Sequence, residues 1–132
     1  MSQENLEIVR TAYEAFGRRD TEAMLDLISD DFALDLSKHP IPDFPNVGTG
    51  PEHLTRFLAT YIAGFSDYTL EATRLLEARS QVVAACHDTA HLGPALVRRD
   101  LAHVWTISEG KIARVQVFPT IGEALQAAGM RE

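Results

Sequence analysis

The hydrophobic period of this chain is mostly helical in its first half, mostly alternating in its second, and helical again at the end. From Asn5 to Arg19 the apolar positions are Leu6, Val9, Ala12, Tyr13 and Phe16, the spacing of a helix with one buried face. "GRRD" interrupts that pattern, and Asp20 or Thr21 is placed to cap a second short helix whose inward residues are Ala23, Met24, Leu27 and Ile28. "DDFALDLS" then alternates, Phe32, Leu34 and Leu36 against Ala33, Asp35 and Ser37, which predicts a strand. The stretch from His39 through Pro51 holds four prolines and two glycines, too many for regular structure. A connection of that length is either the rim or lid of a site or a plain surface linker. Gly50 and Pro51 open the clearest helix, with Leu54, Phe57, Leu58, Tyr61, Ile62 and Phe65 along one face.

Beyond "FSD" the period drops to two. "YTLEATRLLEAR", "SQVVAACHDTAHL", "LVRRDLAHVWTIS" and "KIARVQVFP" read as successive strands, the last pair joined by the tight-turn signal "EGK". A final helix, Ile121 to Ala128, stops at Gly129. Helices first and hairpin-linked strands afterwards predict an α+β fold: a curved antiparallel sheet wrapped around three N-terminal helices. Such a sheet, with helices on its concave side, encloses a cone, and a cone leaves a cavity.

Length and charge narrow the function classes. The chain has 132 residues, which suits a single domain over the whole of 1–132. Its formal net charge of -7 argues against nucleic acid and against anionic membrane surfaces. The lone cysteine, Cys86, leaves no internal disulfide, which is compatible with a cytoplasmic location. No apolar run approaches membrane-spanning length. No GxGxxG, phosphate loop or nucleophile elbow is present, so no cofactor is expected.

The segment "AACHDTAHLG" carries His87 and His91 four positions apart. On a strand they share a face but stand roughly 13 Å apart. Ligands of one zinc ion have nitrogens only about 4 Å apart, so no metal is expected. The hairpin through "LGPAL" puts His87, His91, Arg98, Asp100, Ala102 and Val104 on one face and Cys86, Asp88, His103 and Trp105 on the other. His87 then lies opposite or diagonal to Asp100, an arrangement that would set an imidazole's tautomer and basicity beside a cavity. Cross-strand opposite charges also occur simply as sheet stabilisers. Trp105, His103, Arg114, Gln116 and Phe118 together resemble a protein interface, so a homodimer through the outer sheet face is expected. Tyr13 and Tyr61 stand on helix faces that meet the sheet, and a buried phenol needs a hydrogen-bond partner.

"VRTAYEAFGRRDTEAMLDLISDDFALDLS" resembles the opening of the SnoaL-like polyketide cyclase family, "AHVWTISEGKIARVQVF" its closing hairpin and "EALQAAG" its C-terminal helix. That family has the nuclear-transport-factor-two-like fold, shared with ketosteroid isomerases and limonene epoxide hydrolases. In an ungapped register the resemblance puts the isomerases' hydrogen-bonding tyrosine on Ala12, their base on Leu36 beside Asp35, and their second acid on Ala102. It puts the aspartate of the cyclases' and hydrolases' last strand on Val117. The same register implies a pocket lined by Val83, Ala85, His87, Thr89, His91, Ala102, Val104, Val115 and Val117, with Ala12, Phe16, Phe57, Leu58 and Tyr61 from the helices. Such a pocket suits a small apolar molecule with a few oxygens.

Three readings follow. In the first, a cofactor-free isomerase, cyclase or hydrolase works by proton transfer, with His87 as base, Asp100 as its orienter and His91, Tyr61 or Asp35 as further polar groups. In the second, the same pocket binds a ligand, Tyr13 and Thr89 included, without turnover. In the third, Phe16, Phe57 and Tyr61 fill the pocket and the protein is a dimeric scaffold.

Overall fold

The computed structural model describes residues 2–65 and 67–130, so Ser66 of "FSD" lies outside the described residues. The elements run α1 (Ser2–Gly17), α2 (Thr21–Leu25), β1 (Ile28–Asp35), β2 (Val47–Thr49), α3 (Pro51–Phe57, continued by a wider π turn over Leu58–Ile62), β3 (Thr69–Ala78), β4 (Gln81–Leu92), β5 (Ala95–Ser108), β6 (Lys111–Phe118) and α4 (Ile121–Ala127). Local chemistry accounts for the helix starts. Asp20 caps α2 by accepting from the Ala23 N–H at 3.1 Å. Gly50, at φ 90°, turns the chain into α3 with Pro51 following. Thr120 accepts from the Glu123 N–H at 3.1 Å to start α4, and Gly129, at φ 75°, follows its end.

The strands form one curved, unclosed sheet in the order β2-β1-β6-β5-β4-β3. It is mixed rather than wholly antiparallel, because β1 pairs parallel to β6. The proline-rich connection holds one short regular piece, β2, paired with β1. Its Gly48 lies against the His53 ring so closely that a Cβ there would collide with the imidazole. Helices α1 and α3 cover the concave face, burying Val9, Ala12 and Leu54 against Phe32, Leu34, Val82, Cys86, Leu101, Trp105, Val115 and Val117. Helix α4 lies on the other face, where Ala124 and Leu125 cover Val83, Ala102, Val104 and Phe118.

That division corrects the expected faces of β4 and β5. The hairpin register is one of the two that the turn left open: Leu92 pairs with Ala95, and His87 lies directly opposite Asp100. Across the next hairpin, Ser108 pairs with Lys111 and Ile107 with Ile112, but Thr106 pairs with Arg114. Ala113 is therefore an extra residue, a β-bulge. One extra residue exchanges the two faces of everything beyond it. Trp105 and His103 consequently share the concave face with Val115 and Val117, while Val104 and Ala102 share the outer face with Gln116 and Phe118. The outer patch expected from Trp105, His103, Arg114, Gln116 and Phe118 does not exist as a unit: two members face inward, and Phe118 is buried with α4.

Candidate functional site

The concave face and its helices enclose a cavity of about 100 Å3. Apolar side chains make most of its wall, among them Ala12, Phe16, Leu34, Leu36, Phe57, Val115 and Val117. The proline-rich connection contributes His39 and Ile41, so it forms part of the rim. An aromatic series runs along the helical side: Phe57 stacks on Tyr61 at 5.6 Å between centroids, Tyr61 meets Phe65 edge-on at 5.5 Å, and Phe65 lies 5.9 Å from Tyr68. The π turn Leu58–Ile62 carries Tyr61, and such turns concentrate at functional sites.

Two polar clusters interrupt the apolar wall. In the first, the Trp105 indole N–H donates to the Tyr13 oxygen at 2.9 Å, and the Tyr13 hydroxyl lies 2.7 Å from His103 Nδ1. Cys86 Sγ sits 3.4 Å from the same hydroxyl. Burial, then the neighbouring Cys86, raises the phenol pKa, so Tyr13 stays protonated and its hydrogen is available to His103 Nδ1. His103 is itself buried at 7% exposure. Burial lowers its pKa to about 4, against a partial counter-effect from Asp88, and the ring is neutral at pH 7. With Nδ1 accepting from Tyr13, the ring proton belongs on Nε2. Among the described residues nothing hydrogen-bonds Nε2, and His103 lines the cavity. The Cys86 thiol is pushed up by burial to about 11, which makes it a poor nucleophile.

The second cluster is built on Asp88, only 2% exposed. Arg99 donates Nε to one carboxylate oxygen at 3.1 Å and Nη2 to the other at 2.7 Å, and the Tyr68 hydroxyl donates at 2.6 Å. Burial alone would raise the Asp88 pKa, but the Arg99 and Tyr68 hydrogen bonds outweigh it and the net shift is downward. The same partnership, with burial first, raises the Tyr68 phenol, and Asp88 raises Arg99.

Of the residues singled out from sequence, Tyr13, Phe16, Phe57, Tyr61, Val115 and Val117 line this cavity. His87, Asp100, Asp35, Thr89, His91 and Val104 do not. His87 is on the outer face, its Nε2 3.4 Å from Glu71 and its Nδ1 3.4 Å from Arg98. Asp100 is exposed across the ladder. Thr89 bonds Thr69 at 2.5 Å and borders a neighbouring pocket, and His91 pairs with Asp67 near the strand end. Val104 lies under α4. Asp35 is also on the outer face, where Ser37 and Arg114 outweigh the effect of burial and hold its pKa at about 2. Ala12, Leu36 and Val117 line the cavity, whereas Ala102 points away and its neighbour His103 takes the inward place. His103, Asp88, Arg99, Tyr68 and His39 were not expected at the site. One cue for the first three was present: Ile112 and Val115 are three apart, out of phase for a regular strand.

The fold and cavity define a class, nuclear-transport-factor-two-like α+β proteins with an apolar hollow inside a curved sheet. Within it, the SnoaL-like domain family matches residues 9–115, and the chain belongs to that family. No curated protein matches it significantly. Among solved structures, TerC co-crystallised with polyporic acid is 20% identical with a TM-score of 0.76, covering 96% of this chain and 98% of its own. An NTF2-like protein from Burkholderia pseudomallei is 18% identical with a TM-score of 0.77, covering 93% and 95%. RV0760c from Mycobacterium tuberculosis, in complex with estradiol-17beta-hemisuccinate, is 14% identical with a TM-score of 0.75, covering 87% and 92%. At these identities the likeness concerns the fold. No helix among the described residues is long and apolar enough to cross a membrane.

Proposed function

We propose that the protein binds a small ring-containing molecule in this cavity and transfers a proton on it without a cofactor. The observation that carries the reading is His103: a neutral imidazole in an apolar wall, held by Tyr13 and Trp105, with Nε2 left to the cavity. A polar group in such a place is costly unless it is satisfied or used. The Nε2–H of His103 holds a carbonyl or hydroxyl oxygen of the substrate and stabilises charge that develops there. His39, which lines the same cavity and whose pKa is lowered by burial and then by Arg99, is the neutral base. The ring-bearing ligands held by TerC and RV0760c support the ligand class.

Deuterium exchange tests the proton-transfer step without knowledge of the natural substrate. A ring ketone such as 2-tetralone, in deuterated buffer, is expected to exchange its α-hydrogens faster with the protein than without it. His103→Asn and His39→Ala are each expected to slow that exchange by about 100-fold. A rise in melting temperature with no exchange would leave binding alone. A second reading has the cavity size on its side, since about 100 Å3 is below the roughly 300–1,000 Å3 of most ligand pockets. On that reading Phe16, Phe57 and Tyr61 fill the space and the protein is a scaffold. It predicts no thermal stabilisation by any ring compound.

A further inference from the structure

The guanidinium of Arg99 has two edges that can each grip a carboxylate. Asp88 occupies the side edge, Nε and Nη2. The end edge, Nη1 with the second hydrogen of Nη2, has no partner among the described residues. Arg99 lines both the main cavity and a neighbouring pocket of about 110 Å3, and Tyr61 and Tyr68 form the wall common to the two. Among the described residues no other lysine or arginine lines the main cavity. Asp88 and Tyr68 fix the side chain from behind, so little side-chain freedom remains to be lost when a ligand arrives.

We propose that the end edge of Arg99 is a carboxylate subsite, and that the ligand is a small ring-containing acid whose acidic end sits at Arg99 while its ring lies in the apolar cavity. This inference rests on the ligand-binding reading above and names the class of ligand.

The polar groups of the cavity agree with this orientation. Arg99 and the neutral His103, whose Nδ1 is taken up by Tyr13, both line it. A ligand with its carboxylate at Arg99 and a neutral oxygen at His103 matches both. In a chain of net charge -7, an arginine at the wall of an apolar hollow, fixed by a buried carboxylate, is a selective feature.

Three probes with one skeleton test the subsite: trans-cinnamic acid, its methyl ester and cinnamyl alcohol, titrated into the full chain at pH 7 by calorimetry. The acid is expected to bind at least about tenfold more tightly than the other two, as a charge-assisted bidentate contact allows. In the double variant Asp88→Asn with Arg99→Gln, which removes both charges together, the three should bind within about twofold of one another. Arg99→Lys, which keeps the charge but loses the fork, should cut the preference several-fold and guards against a double variant that fails to fold. Equal binding of all three by the unaltered protein overturns the subsite and leaves the cavity reading standing. So does a preference for the acid that survives in both variants. Binding of none of the three overturns both.

Discussion

The ladder between β4 and β5 holds two neighbouring cross-strand pairs, His87 with Asp100 and Asp88 with Arg99. Each sets a carboxylate against a basic side chain, and they are one residue apart. The first faces outward. Asp100 is exposed, and among the described residues no hydrogen bond or ion pair joins it to His87, whose nearest charged partners are Glu71 and Arg98. The second faces the cavity, and its carboxylate is gripped by Arg99 and Tyr68. Two unit charges 4 Å apart attract by about 1 kcal/mol in water and about 4 kcal/mol at the effective dielectric of a protein surface site. The chemistry of the two pairs is similar, and the face decides which one is structure and which is solvated decoration.

The face itself is decided by one residue, which supplies the largest test. Deleting Ala113 removes the bulge, so β6 must either keep Val115 and Val117 inside against an inverted β5 or send them to the outer side. Either choice buries Arg114 or Gln116, or strands Trp105 and His103 outside. We expect a loss of more than about 4 kcal/mol or no cooperative fold, read by urea denaturation. A deletion variant that unfolds like the parent would mean that the inner and outer sets are interchangeable.

This also marks where the sequence was legible. Helix starts follow from local signals at Asp20, Gly50 and Pro51, and these were readable because capping is decided within a few residues. The turn after Leu92 determined for the same reason which β4 and β5 residues share a face, though not whether His87 lies opposite or diagonal to Asp100. The bulges at Thr73 and Ala113 are non-local: each is set by what the partner strand must bury. Missing the one at Ala113 moved His87 into the pocket and His103 out of it. Tyr68 and His39 were hidden for another reason. They come from the connection before β3 and the proline-rich rim, and only the closed fold brings them to the cavity.

Breaking the inner pair alone has the next largest effect. Arg99→Ala leaves the Asp88 carboxylate buried without its cation, and the expected cost is roughly 3 kcal/mol, the lower end for a buried pair because the Arg99 side chain is 41% exposed. Chemical denaturation reads it directly. If Asp88→Asn is then added, part of the loss should return, because the stranded charge goes with it.

Acid separates the faces further. An ordinary histidine titrates near 6.5, and His103 in the folded protein near 4. Between those values the unfolded chain binds the extra proton and the folded one does not. The stability due to this group is therefore complete above about pH 6.5 and falls as pH drops to about 4, by roughly 2–3 kcal/mol. Asp35 on the outer face acts lower: its carboxyl is held at about 2, so its contribution persists above about pH 4 and disappears toward pH 2. Denaturation midpoints of the parent and of His103→Asn from pH 8 to pH 3 should diverge only in the upper window. A variant whose slope between pH 6.5 and 4 equals the parent's would contradict a buried neutral His103.

The smallest effect belongs to the outer pair, and there a null result is informative. His87→Ala and Asp100→Ala, singly or together, should change stability by less than about 0.5 kcal/mol, the usual scale for a surface substitution. The double variant should also keep the deuterium exchange of the parent, because neither side chain lines the cavity. A hundredfold loss of exchange in either variant, with stability unchanged, would place chemistry on the outer face. That result would move the site from the concave wall around His103 to the convex ladder, and the carboxylate preference assigned to Arg99 would then have to be sought beside Arg98 instead.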